Sequence, residues 1–256
     1  IHETPIELSV DLETFITEVM SEATQRLDAS HGEGYWVDHW FYNLDLIDTY
    51  LAVYPDKEEE LLLGDSMVPY FDSAAMVPPR MRRYVRTRDD RIRQYGAVHE
   101  SDGEKLGLID SRTESHRLMR TGYGQGQVYR TTVLAKLVGL AVVKFSTLDP
   151  GGMGIEMEAG KPGWYDALNG LPGLFGSSMC ETYELHRLLT FLTNAMAARP
   201  EAEVVLPMEQ VRLFEQVQDV LSDWGSSTDA DRDYVCWDRM SAAREDYREA
   251  TRLGLA

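Results

Sequence analysis

The sequence is short of several things, and each shortage excludes a class of protein. Only 2 of its 256 residues are cysteines, Cys180 and Cys236. Two thiols cannot build a disulfide framework or a four-cysteine zinc site, so a reducing, cytoplasmic setting is expected. Positive charge is scarce: 25 Lys and Arg stand against 43 Asp and Glu, for a net charge of −18. That balance argues against a general nucleic-acid binder or an anionic-membrane binder, both of which need a basic face. No apolar run approaches the roughly 20 residues that cross a bilayer. Strand alternation is brief, confined to Gly154–Glu158 and Glu203–Leu206, the latter closed by Pro207.

What is present is helical periodicity, in a chain that is 43% apolar. Apolar residues recur at three- and four-residue steps over Ser9–Leu27, with Ser9 or Asp11 as caps, and over Trp36–Val53, which Tyr54-Pro55-Asp56 closes. A short helix is expected over Lys57–Leu63. Gln127–Phe145 is apolar on nearly every side and reads as a buried helix. Thr182–Ala198, Met208–Trp224 and Asp229–Leu253 complete the set. Long loops are expected at 64–79, 96–111 and 146–181, and loops of that length inside a compact domain usually carry function. The expected architecture is all-α, with about three helical pairs arranged as hairpins in part of a toroid. Ile1 is not an initiator Met, no signal segment follows, and a helical pattern runs almost to Ala256. These ends read as cuts, so residues 1–256 are expected to be part of a single catalytic domain in a longer polypeptide.

The most informative stretch is Glu158–Ser178. Gly160, Gly163, Gly170, Gly173, Gly176, Pro162 and Pro172 rule out a helix there, yet Trp164, Tyr165, Asp166 and Asn169 are embedded among them. An indole offers a flat face to the C–H side of a pyranose, and a carboxyl two residues on can hand a proton to a glycosidic oxygen. Apolar surroundings with Glu156 and Glu158 close by would raise the pKa of Asp166 and keep it protonated. The plainer reading is a structural turn, with Asp166 capping a short helix at Ala167.

Gly163-Trp-Tyr-Asp-Ala-Leu-Asn-Gly170 resembles the Gly-Asp-Trp-Asn-Asp-Gly-Met-Asn motif of the cellobiose phosphorylase group. Those enzymes are inverting β-glycoside phosphorylases with an (α/α)6 toroidal catalytic domain. The resemblance implies that Asp166 is the general acid, with Trp164 and Asn169 in the places of the motif's Trp and Asn. Pro162-Gly163 stands where the family has Gly-Asp, Tyr165 replaces Asn, and Ala167-Leu168 replaces Gly-Met. Those departures point to a divergent relative of the β-glucan phosphorylase kind. Hexosyl transfer from a β-linked gluco-oligosaccharide to inorganic phosphate is the implied reaction, with phosphate as co-substrate and no metal or organic cofactor. No nucleic acid or membrane partner is expected; the rest of a longer polypeptide is, and a homo-oligomer stays open.

A second cluster, His31–Asn43, gathers Tyr35, Trp36, Trp40, Phe41 and Tyr42 around Asp38, His39 and Asn43. Stacking faces beside hydrogen-bonding groups suit sugar hydroxyls, and Trp36, Asp38 and His39 are the candidates for a subsite alongside Trp164, Tyr165 and Asn169. The plainer reading is an aromatic helix start in the core, Asp38 being favoured in the first turn by the helix dipole. His31, Glu33 and His39 fit no strong metal-ligand spacing. Arg80–Arg93 carries seven arginines and two aspartates. A phosphate role is conceivable for such a stretch, but a solvated helix paired with acidic neighbours is the preferred reading. Gly122–Gly126 follows no strand and fits no nucleotide loop. Trp237-Asp238, at helical spacing, reads as packing plus a surface carboxylate.

Overall fold

The computed structural model describes residues 9–23, 37–65, 67–94, 100–156 and 177–256, without the side chains of 37–40, 92–94 and 100. These residues are mostly helical. Contacts group Ile1–Ser30 apart from His31–Ala256. In the first unit, α1 (Leu12–Glu22) begins at Asp11, whose carboxylate accepts from the Thr14 amide at 2.9 Å.

In the second unit, α2 (Val37–Val53) ends where expected. A single 3₁₀ turn, Pro55–Lys57, then leads into α3 (Glu58–Leu63). The centre of the unit is α6 (Val133–Phe145), none of whose residues is exposed. Leu134, Leu137 and Ala141 pack with Leu44 and Ile47 of α2, Leu62 of α3, and Leu185, Leu188 and Leu192 of α7 (Met179–Ala197). Val142 and Val143 turn towards Leu213, Val217 and Val220 of α8 (Met208–Ser226) and Met240 and Ala243 of α9 (Arg232–Ala250). A helix covered on both sides is apolar on nearly every side, and its two lysines are engaged, Lys136 with the Pro69 carbonyl and Lys144 with Glu181. Gly139 lets α8 approach: a Cβ there would lie 2.6 Å from Nε2 of the buried Gln210.

α8 and α9 form an antiparallel hairpin. At its closed end Trp224 Nε1 donates to Asp233 Oδ1 at 2.7 Å, and Arg239 meets Asp223 at 2.5 Å. Arg187 ties α7 to α2 through Asp45 and Asp48, at 2.7 and 2.5 Å.

Three local readings need correction. The helix expected from Gln127 begins only at Val133. Arg130–Thr131 (β6) instead pairs antiparallel with Val68–Pro69 (β1), and Thr132 caps the helix through the Ala135 amide. In Arg80–Arg93 only α4 (Arg80–Arg83) is helical; Tyr84–Arg86 (β3) and Ile92–Gln94 (β4) then form a hairpin. Within the expected 96–111 loop lies α5 (Gly103–Asp110), capped by Asp102. Two-residue ladders join β2 (Ala75–Met76) to β5 (Glu100–Ser101), and β7 (Ile155–Glu156) to β8 (Ser177–Ser178). Among the described residues no helix is long and apolar enough to cross a membrane.

Candidate functional site

Asp166, Trp164, Tyr165 and Asn169 lie outside the described residues, as does Trp36; Asp38 and His39 fall within α2, and their side chains lie outside as well. What is described is the base from which 157–176 departs and to which it returns. Glu156 and Ser177 are Cα partners in the β7–β8 ladder, so the two ends of that segment sit side by side. Closing a segment of that length costs on the order of 3 kcal/mol in chain entropy, and fixed ends supply this from the scaffold.

Asp149 organises the base. Its Oδ1 accepts from the Gly151 amide at 2.7 Å, and its Oδ2 accepts from the Gly154 amide at 2.8 Å and from the Ser177 hydroxyl. One buried carboxylate thereby holds the strand before 157 and the strand after 176. Thr182 Oγ1 accepts from the Ile155 amide at 2.9 Å and donates to the Ser178 carbonyl at 2.8 Å, fastening the same ladder to the first turns of α7. Gly154 permits this closeness, because a Cβ there would stand 2.5 Å from Thr182 Oγ1.

Beneath the ladder is a buried polar layer. Glu156 is 3% exposed and accepts from the Tyr84 hydroxyl, and the Tyr84 ring meets Trp237 edge-on at 6.3 Å. Glu181, also buried, pairs with Lys144 at the end of α6. Arg83 and Arg244 are fully enclosed, and Arg244 Nη1 donates to the Ser146 carbonyl.

The arginine stretch is engaged with protein groups at several points. Arg80 meets Asp238 at 2.5 Å and Glu245 at 3.2 Å and lies 5.5 Å over the Trp237 ring. Arg86 pairs with Asp90 and Arg91 with Asp89, both at 3.0 Å. Trp237-Asp238 is therefore packing plus a carboxylate, as its spacing suggests. The Gly122–Gly126 turn, with Gly122, Tyr123 and Gly124 at positive φ, packs against Leu255: Tyr123 N donates to the Leu255 carbonyl at 2.8 Å. His186 is exposed on α7, and Cys180 is half-buried.

The sequence reading missed a second constellation. A cavity of about 350 Å³ opens between 71–79, α5 and the last turns of α9. Lys105 Nζ lies 2.6 Å from Asp72 Oδ1, and Arg112 Nη1 lies 2.8 Å from Asp72 Oδ2; all three side chains are at most 4% exposed. Arg112 also donates to the His116 and Leu118 carbonyls at 2.7 and 3.1 Å, holding the turn after α5. The available signal was that Lys105 stands four residues before Ile109, on the buried stripe of α5. At the rim, Asp102 pairs with Arg252 at 2.7 Å. Burial pushes the Asp102 carboxyl up, but Arg252 and the Glu104 and Lys105 amides outweigh it and hold the pKa below the usual 3.8.

The chain matches no protein-family model, and it matches no curated protein at the sequence level.

Proposed function

We propose that this chain is a catalytic-domain portion of an inverting β-glucoside or β-oligoglucan phosphorylase, with Asp166 as its general acid. The pairing of Glu156 with Ser177 is the observation that carries the reading furthest. It supports a glycine-rich segment delivered from a fixed base, as an acid-bearing loop requires, because a misplaced proton donor forfeits much of its effect. The motif Gly163–Gly170, similar to that of the cellobiose phosphorylase group, supplies the chemical identity.

In this reading Asp166 protonates the departing glycosidic oxygen while inorganic phosphate attacks the anomeric carbon from the opposite face. The product is α-glucose 1-phosphate, with inversion. One protein carboxyl suffices, since phosphate replaces the water that an inverting hydrolase activates with a second carboxylate. Trp164 and Tyr165 offer stacking faces, Asn169 a hydrogen-bonding amide, and Trp36, Asp38 and His39 a second subsite. The α6–α7 and α8–α9 pairs are in contact, and in this reading they are two of the hairpins of an (α/α)6 toroid. The protein works in the cytoplasm without metal or organic cofactor, on a β-linked gluco-oligosaccharide.

An inverting hydrolase on the same scaffold would need a carboxylate holding water about 6.5–9.5 Å from Asp166. The candidates for that carboxylate are Glu156, Glu158 and Asp38; Glu156 is enclosed and accepts from the Tyr84 hydroxyl, which leaves it ill placed to hold a water. A non-catalytic saccharide-binding module is the remaining alternative. Incubation with β-linked gluco-oligosaccharides separates the three, using both this chain and the full open reading frame that contains it. Release of α-glucose 1-phosphate that requires added phosphate is expected. Free glucose released without phosphate would indicate the hydrolase, and binding without turnover in either protein would indicate the module.

A further inference from the structure

Two exposed patches of opposite charge stand close together on the second unit. The β3–β4 hairpin is an arginine-rich arm: Arg86, Arg88 and Arg91 are exposed. Residues 84–93 hold four arginines against two aspartates, in a chain of net charge −18. The turn between α8 and α9 is acidic, with Asp229 and Asp231 exposed. A ring stack joins arm to turn. Tyr84, which opens β3, meets Trp237 edge-on at 6.3 Å, and Trp237 lies 5.5 Å from Tyr234, three residues after Asp231.

The charges at both patches are open to a new partner. Among the described residues Arg88, Asp229 and Asp231 have no ion-pair partner. The arm's own pairs, Arg86 with Asp90 and Arg91 with Asp89, are exposed on both sides. Exposed pairs of this kind contribute about 0–1 kcal/mol, so trading them for another partner costs little. Apolar side chains are uncovered on the same elements. Met81, next to the Arg80 that lies over Trp237, is 93% exposed; Tyr234 is 57% exposed, and Val85 and Val235 are exposed as well. Tyrosine, methionine and arginine are the residues that protein interfaces favour.

We propose that this face is a contact between two copies of the chain, the arm of each protomer lying against the α8–α9 turn of the other. A twofold axis brings each patch to its opposite, so a surface with both signs side by side is complementary to itself. Arg86 and Arg88 then meet Asp229 and Asp231, twice per dimer. A long polyanion such as nucleic acid suits the arm less well, because the acidic remainder of the chain repels it. The contact is independent of the saccharide chemistry assigned to 157–176.

Sedimentation velocity of the full chain over about 1–100 µM tests it. A monomer–dimer equilibrium is expected, weakened at least about tenfold between about 0.05 and 0.5 M NaCl. Arg86→Glu with Arg88→Glu, and separately Asp229→Lys with Asp231→Lys, should each be monomeric with a cooperative melt retained, since all four positions are exposed. Mixing these two variants should restore a dimer containing one copy of each: reversed arm meets reversed turn at one contact, and unchanged arm meets unchanged turn at the other. A chain that stays monomeric throughout, a dimer indifferent to salt, either variant dimerising like the parent, variants that do not associate when mixed, or growth beyond a dimer would each overturn the proposal.

Discussion

Glu156 and Ser177 stand opposite each other in a two-residue antiparallel ladder, one bounding 157–176 at its start and the other at its end. The ladder is too short to hold itself, since two isolated strands are marginal in water. Its stability comes from Asp149 and Thr182, which reach it from the preceding turn and the following helix.

Asp149→Ala removes the acceptor for the Gly151 and Gly154 amides and the Ser177 hydroxyl at once. Donors left unpaired in a buried setting cost about 1–3 kcal/mol each, with partial relief from water, so a loss of about 3 kcal/mol is expected in urea unfolding. Proteolytic cleavage within 157–176 should quicken in the same variant. A variant as stable and as protease-resistant as the parent would contradict the role given to Asp149.

The Asp72 cluster makes an asymmetric prediction. Asp72→Ala strands two buried cations and should cost about 3–5 kcal/mol, whereas Lys105→Met leaves one acid with one base and should cost far less. Denaturation midpoints of the two variants give the comparison. Equal losses would show that packing, not charge pairing, dominates there.

Acid sensitivity should track Asp102. Its folded-state pKa lies below 3.8, so its contribution to stability is fully present above 3.8 and is lost as pH falls through the lower, folded value. Asp102→Asn removes that contribution at all pH values, and its unfolding midpoint should fall less steeply than the parent's below about pH 4. Parallel profiles would contradict the assignment.

Gly124 sits at φ +85°, and a Cβ there would approach the Leu253 carbonyl oxygen to 2.3 Å. Gly124→Ala combines backbone strain with a clash against main chain, and a loss of about 2–3 kcal/mol is expected by chemical denaturation. A loss under about 0.5 kcal/mol would mean that the docking of Gly254–Leu255 on this turn is loose.

α6, α7 and α8 were legible because α7 and α8 each bury an apolar stripe and α6 is covered on all sides. Leu185, Leu188 and Leu192 follow helical spacing, and so do Leu213, Val217 and Val220. What escaped was short or set by distant partners. Gly103 and Gly107 dilute the helical signal of α5, so Asp102 looked like part of a loop although it caps a helix. Arg80–Arg93 has no apolar rhythm to separate helix from hairpin, and Arg80 finds Asp238 and Glu245 from far along the chain. The burial of Lys105 depends on Asp72 and Arg112, which local pattern cannot pair. The candidate acid was found the other way round, from the chemistry of Trp164 and Asp166 in a segment too rich in glycine to be helical.

The most direct measurement is the rate of phosphate-dependent release of α-glucose 1-phosphate by the parent protein and by Asp166→Asn, with circular dichroism to show the same helix content. A positioned acid contributes about 10²–10⁴-fold, so a fall of about a hundredfold or more is expected with the fold unchanged. An Asp166→Asn protein retaining more than about a tenth of the parental rate would contradict the central claim that this carboxyl delivers the proton.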